Sequence, residues 1–166
     1  MGFTCDVCGE THAGETRDIR MGLPQPIFLL DEEEREQRSL VGDDSAVLHG
    51  EAGDRFFVRA LLELPIAGEE GYFGYGAWIE VSEPDFEALG ELWDDEDGWR
   101  SEPVPGVLAN ELSPYAFTEG LPVQIRLRDV QLLPLVELED ANHELVRAQR
   151  HGISGHRAHE LAATVA

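Results

Sequence analysis

Hydrophobic and polar positions alternate with a period of two through the middle of the chain. The runs "SAVLHG", "DRFFVRALLELPI" and "YFGYGAWIEVS" are each bounded by Gly, Asp or Pro and read as three strands, antiparallel neighbours of one another. In the last of them Tyr75, Ala77, Ile79 and Val81 alternate with Gly76, Trp78 and Glu80. Trp78 should therefore face away from the aliphatic row, as a packing residue on the second face of the sheet. Further on, Val123, Ile125 and Leu127 alternate with Gln124, Arg126 and Arg128, which fits a strand with one buried face. The run after it, "VQLLPLVELED", contains Pro134, which argues for an edge strand or a bulge.

Helical spacing replaces this alternation in four places. "LDEEEREQRS" predicts a short exposed helix with Asp31, Glu32 and Glu33 at the positive end of its dipole and Arg35 and Arg38 towards the other. "SEPDFEALGELW" has Ser82 as a natural N-cap, Asp85 at capping-box spacing, and Phe86, Leu89 and Trp93 on one face, so it should lie on the sheet. "NHELVRAQR" and "SGHRAHELAATVA" read as two C-terminal helices, capped by Asn142 and Ser154 and separated at Gly152. The expected fold is α+β: a largely antiparallel β-sheet with flanking helices, and a zinc-knuckle-like turn at the N-terminus. A single domain over 1–166 divides into a knuckle and irregular segment (1–30), a β-rich core with short helices (31–138) and the C-terminal helices (139–166).

Charge narrows the partners. With 34 acidic and 12 basic residues the formal net charge is −22, a field that repels nucleic acid phosphates and anionic membranes and favours a basic protein partner. Solubility or salt adaptation would account for the same composition. No run approaches the ~20 apolar residues that span a bilayer, and the first residues lack the pattern of a signal peptide, so the expected compartment is the cytoplasm.

Candidate chemistry concentrates in "FTCDVCGETH", which holds both cysteines of the chain. Cys5 and Cys8, followed by Gly9, have the spacing of a knuckle turn whose backbone N–H groups point at thiolate sulfur, and His12 extends it to C-x2-C-x3-H. Two thiolates and an imidazole suit Zn2+, and a closed structural site needs a fourth ligand. The remaining histidines, His49, His143, His151, His156 and His159, or a carboxylate, are the candidates. His143 opens a helix in "DANHEL", while His156 and His159 share a helical face that reads as solvated. Water in the fourth position would instead make the zinc catalytic, as in a hydrolase. A redox pair and plain reduced thiols stay open as further readings of the two cysteines.

No other motif competes. The acid cluster "WDDEDGW" has Gly98 where a calcium loop needs its central glycine, but Trp93 and Val104 occupy positions that such a loop fills with acids. "GYFGYG" lacks the Lys and Ser or Thr of a phosphate loop, and there is no H-E-x-x-H helix and no G-x-S-x-G elbow. No catalytic residues are assigned.

The blocks "FTCDVCGETH", "FFVRALLELPI", "YGAWIEVSEPDF", "NELSPY" and "HELVRAQRHGIS", in this order over nearly the whole chain, resemble the bacterial family known as domain of unknown function 2199. The resemblance implies one cytoplasmic bacterial domain with a recurring N-terminal knuckle and no established activity. Its pattern falls on Cys5, Cys8, Gly9, His12, Trp78, His143, Gln149 and Gly152, which favours His143 as a partner of the knuckle. The chain departs from it at Glu144, where Pro is common, and at Ser113 and Pro114, which stand near a Pro-Gly pair.

Overall fold

A computed structural model describes residues 3–4, 11–12, 18–68, 71–129, 132–139 and 142–163. Its centre is the long hairpin of β6 (Arg55–Pro65) and β7 (Tyr72–Val81), followed by β8 (Val104–Leu108), β9 (Pro122–Arg126) and β10 (Leu135–Leu138). Each of these strands runs antiparallel to the one before it. An up-and-down series of five strands brings its first and last members into the same direction, so the closing pair must be parallel. It is: Leu135 stands opposite Leu61 and Val136 opposite Leu62. The sheet therefore closes into a five-stranded mixed barrel, which corrects the expected open, largely antiparallel sheet.

Length lets β6 and β7 serve two neighbours on one edge. The first half of β6 pairs with β5 (Ser45–Leu48), which continues into β4 (Ser39–Val41), while its second half meets β10. Likewise Gly74–Gly76 of β7 take the parallel strand β3 (Asp18–Arg20), and Ile79 and Glu80 take β8. Closure is tight at Gly106, where a Cβ would stand 2.7 Å from Ile79 Cγ2 and 2.8 Å from the Glu80 carbonyl. Only glycine lets β8 approach β7 this closely.

The predicted alternation sets the two faces. Val58, Ala60, Leu62 and Leu64 of β6 and Phe73, Tyr75, Ala77, Ile79 and Val81 of β7 point into the main core with Val123, Ile125, Val136 and Leu138. α3 (Glu83–Trp93), α4 (Glu144–His151) and α5 (Gly155–Ala163) contribute Leu89, Leu145, Val146, Ala158 and Leu161 to that core. On the outer face Phe57 and Trp78 form a second, smaller core with Ala46, Leu48, Ala109 and Ile27 of the one-turn helix α1 (Gln25–Phe28). Trp78 thus lies opposite the aliphatic row, as the period of two requires.

Local signals at the helix starts hold with one exception. Asp31 accepts from Glu34 N–H to cap α2 (Glu32–Arg38), Ser82 from Asp85 N–H to cap α3, and Ser154 from Arg157 N–H at the start of α5. At α4 the cap is His143, not Asn142, whose side chain instead accepts from Arg147. Pro134 neither interrupts nor marks an edge: β10 begins after it and lies between β9 and β6, with the Pro134 carbonyl accepting from Leu61 N–H. Its missing N–H falls just outside the ladder, where it costs nothing.

Candidate metal segment and its anchor on the barrel

β1 (Phe3–Thr4) and β2 (Thr11–His12) pair antiparallel as a separate two-stranded sheet, with Phe3 opposite His12 and Thr4 opposite Thr11. Cys5, Cys8 and Gly9 belong to the connection between these strands and lie outside the described residues. So does the His12 side chain, while its backbone belongs to β2.

The segment that follows is fastened to the outer face of the barrel by polar groups. Met21 N–H donates to the Gly76 carbonyl at 2.9 Å. The Met21 carbonyl accepts from Trp78 Nε1 at 3.1 Å and from Arg59 Nη2 at 2.8 Å. Two residues on, the Leu23 carbonyl accepts from Asn110 Nδ2 at 2.9 Å, and Asn110 Oδ1 accepts from Trp78 N–H at 2.7 Å. Gln25 N–H closes the set on the Ala109 carbonyl. Asn110 is fully buried and satisfies one backbone group on each of two segments.

Arg59 is the unusual member. It stands opposite Trp78 in the β6–β7 register, its guanidinium lies 4.5 Å from the indole ring centre, and it is only 2% exposed. Nε and Nη1 have no hydrogen-bond partner among the described residues. Burial pushes its pKa down, with Arg20 acting in the same direction and Asp44 and Asp43 opposing. The indole face and the Met21 carbonyl are what it gains in return.

The other positions singled out by the sequence divide between caps, latches and surface groups. His143 Nδ1 accepts from Leu145 N–H at 2.9 Å, so its Nε2 carries the proton and donates to the Ala116 carbonyl at 2.8 Å. Both ring nitrogens are engaged within the chain. Gln149 hydrogen-bonds β10 twice, accepting from Leu138 N–H at 2.7 Å and donating to the Val136 carbonyl at 2.8 Å. Gly152 ends α4 at φ +83°, with its Cα close enough to Pro65 that a Cβ would sit 3.0 Å from that carbonyl oxygen. Ile153 then joins the end of β6 through Pro65 and Ala67.

Among the remaining histidines, His49 Nδ1 lies 3.1 Å from Asp54 on the surface, and His151 ends α4 on an exposed face. His156 and His159 are neighbours on α5 with ring centres 6.3 Å apart, and His156 also lies 3.3 Å from Glu160. Among the described residues no three His, Cys, Asp or Glu side chains gather where one metal ion could join them. Arg59, Asn110 and the Met21 carbonyl were not singled out by the sequence. The available signal was an arginine inside the apolar run "FFVRALLEL", in the same phase as Phe57.

The architecture defines an α+β protein on a small closed mixed barrel, with a separate two-stranded sheet near the N-terminus. The chain belongs to the family described as "Uncharacterized protein conserved in bacteria (DUF2199)", whose model matches residues 4–153. That span runs from β1 to the junction between α4 and α5 and includes the blocks that carry the resemblance except Phe3 and Ser154 at their two ends. No curated protein and no solved structure matches the chain. No helix among the described residues is long and apolar enough to cross a membrane.

Proposed function

We propose that the protein is a small zinc-stabilised, acidic protein-interaction module without catalytic activity. Cys5, Cys8 and His12 hold Zn2+ in this reading. The observation that supports it best is the β1–β2 pairing, which sets Phe3 and Thr4, just before Cys5, antiparallel to Thr11 and His12. Two thiolates and an imidazole on one short turn are a donor set suited to zinc. His143 can complete the tetrahedron only by giving up a bond to Leu145 or Ala116, so it competes for the fourth position with a carboxylate or another histidine. The metal would offset the ordering entropy of the segment, and the −22 net charge would draw a basic protein to the surface.

Elemental analysis of untagged protein should return one zinc per chain, lost in Cys5→Ser. Absence of stoichiometric zinc from the purified wild type would overturn the metal part. X-ray absorption on the zinc-loaded protein should show four protein ligands, two of them sulfur. Three protein ligands and a light oxygen would favour a zinc hydrolase. Capture from a lysate should recover basic proteins at low salt and release them at high salt.

A further inference from the structure

A cleft of about 370 Å³ opens between α3 and the β5–β6 pair. Its walls are apolar, from buried Val58 and half-buried Phe86 and Trp93, and two carboxylates flank it: Asp44 from the turn before β5 and Asp94 at the C-cap of α3. Neither carboxylate makes an ion-pair contact among the described residues, Asp44 acting on Arg59 only at longer range.

Two local features work against stability at this one place. Gly90 lies inside α3, where glycine is less favourable than alanine by about 1 kcal/mol. Packing does not require it, because a Cβ there would meet nothing within 4 Å. A larger side chain would instead project into the cleft that Gly90 lines. The second feature is the C-terminal end of α3. The last turn contains no basic residue, and Asp94, Asp95, Glu96 and Asp97 follow at the negative end of the helix dipole, where acids are disfavoured. Sacrifices of stability that coincide around an open, apolar-walled cavity mark a binding site.

We propose that this cleft binds an aliphatic cation, an ammonium or guanidinium on an apolar stem, supplied by a lysine or arginine side chain of a basic partner protein. The stem lies on Phe86, Val58 and the Trp93 ring, and the head group sits between Asp44 and Asp94, neutralising the C-terminal end of α3. A protein side chain is favoured over a free amine because the exposed acids Glu87, Glu91 and Asp95 extend the negative field beyond the mouth, where a partner's further basic residues would lie. The proposal rests on the charge argument of the interaction-module reading and not on its zinc.

The test is an amide NMR titration of the full-length protein with three probes: n-butylguanidinium, its neutral counterpart n-butylurea, and a tetra-arginine peptide. Shifts at the Gly90 amide and Trp93 indole N–H are expected with both cations and not with the urea, and the peptide should bind at least tenfold more tightly than the small cation. Asp44→Asn and Asp94→Asn should each weaken peptide binding several-fold. Gly90→Leu should abolish it while thermal stability stays at or above that of the wild type. Equal response to the urea, absence of shifts at Gly90 and Trp93, or undiminished binding by folded Gly90→Leu would overturn the site. Peptide binding no tighter than the small cation would overturn the partner side chain as its occupant. Capture of basic lysate proteins that Gly90→Leu leaves intact would sink the cleft alone, whereas no capture by the wild type would sink the module.

Discussion

Asn110→Ala tests whether the N-terminal segment is truly fastened to the barrel. The substitution removes the acceptor for Trp78 N–H and the donor to the Leu23 carbonyl, at 2.7 and 2.9 Å. Trp78 is fully buried, so its N–H is left without water as a substitute. A buried polar group that loses its partner costs about 1–3 kcal/mol, and with Leu23 counted as well the total is about 2–5 kcal/mol. A stability of 5–15 kcal/mol, typical of a domain, makes this a large fraction. With a urea m-value of about 1–3 kcal/mol/M, the unfolding midpoint should fall by about 1–2 M at unchanged slope. Hydrogen exchange supplies the local readout: the amides of Met21 and Gln25, which donate to Gly76 and Ala109, should lose protection before those of β6 and β9. A midpoint shift below about 0.2 M, worth less than about 0.5 kcal/mol, would refute the bridging role. So would loss of protection spread evenly over the barrel.

Gln149→Met keeps the length of the side chain but breaks both bonds to β10, leaving Leu138 N–H and the Val136 carbonyl unpaired, and should cost about 2–4 kcal/mol in urea denaturation. A change within experimental scatter would show that α4 is held by its apolar face alone. Tyr75→Phe should be neutral or stabilising, because the hydroxyl it removes is buried with no hydrogen-bond partner among the described residues. Burial also pushes the Tyr75 pKa well above its ordinary value of 10.0, with Tyr115 adding to the rise and Arg157 opposing. An acid whose folded-state pKa is raised contributes its full stability below the unfolded pKa and loses it as pH rises towards the folded one. Stability should therefore fall from about pH 10 upward, and less steeply in Tyr75→Phe; equal slopes for the two proteins would contradict the assignment.

Most of the strands and helices could be read because their signals are local. The alternation Tyr75-Ala77-Ile79-Val81 against Trp78 needs only the pleat, and the caps at Ser82 and Ser154 need only a side-chain oxygen three residues before an open N–H. Closure of the barrel was not legible. It depends on Leu61 and Leu62 meeting Leu135 and Val136, residues more than 70 positions apart, whose sequence pattern is the same whether the edge is open or paired. Pro134 misled for the same reason, since a proline at the first position outside a ladder has the same neighbours in sequence as one at a bulge. The candidate site shows a similar division. Cys5, Cys8 and His12 are conspicuous by spacing, whereas Arg59, Asn110 and Gln149 act on backbone groups that have no sequence signature. His143 was read as a possible ligand because it opens a helix, and its position there is equally suited to the cap it forms.

The hairpin and the barrel should respond differently to loss of metal, if zinc is the group that the knuckle holds. β1 and β2 contribute two residue pairs and bond to no other strand among the described residues, and an isolated two-stranded ribbon of this size is not stable in water. Its order must come from elsewhere, and zinc binding, worth roughly 10–16 kcal/mol in finger peptides, is ample for it. From Asp18 onward the chain has its own supports: β3 on β7, the two donors on the Met21 carbonyl, and Asn110 on Leu23. Treatment of the zinc-loaded protein with a strong chelator should raise exchange at Thr4 and Thr11 while Met21, Gln25 and the strands β6 to β10 keep their protection. Unchanged exchange at Thr4 and Thr11 would mean that metal does not order the hairpin. Loss of protection throughout β7 would mean that the metal and the barrel form one cooperative unit, and that the anchor at Met21 does not separate them.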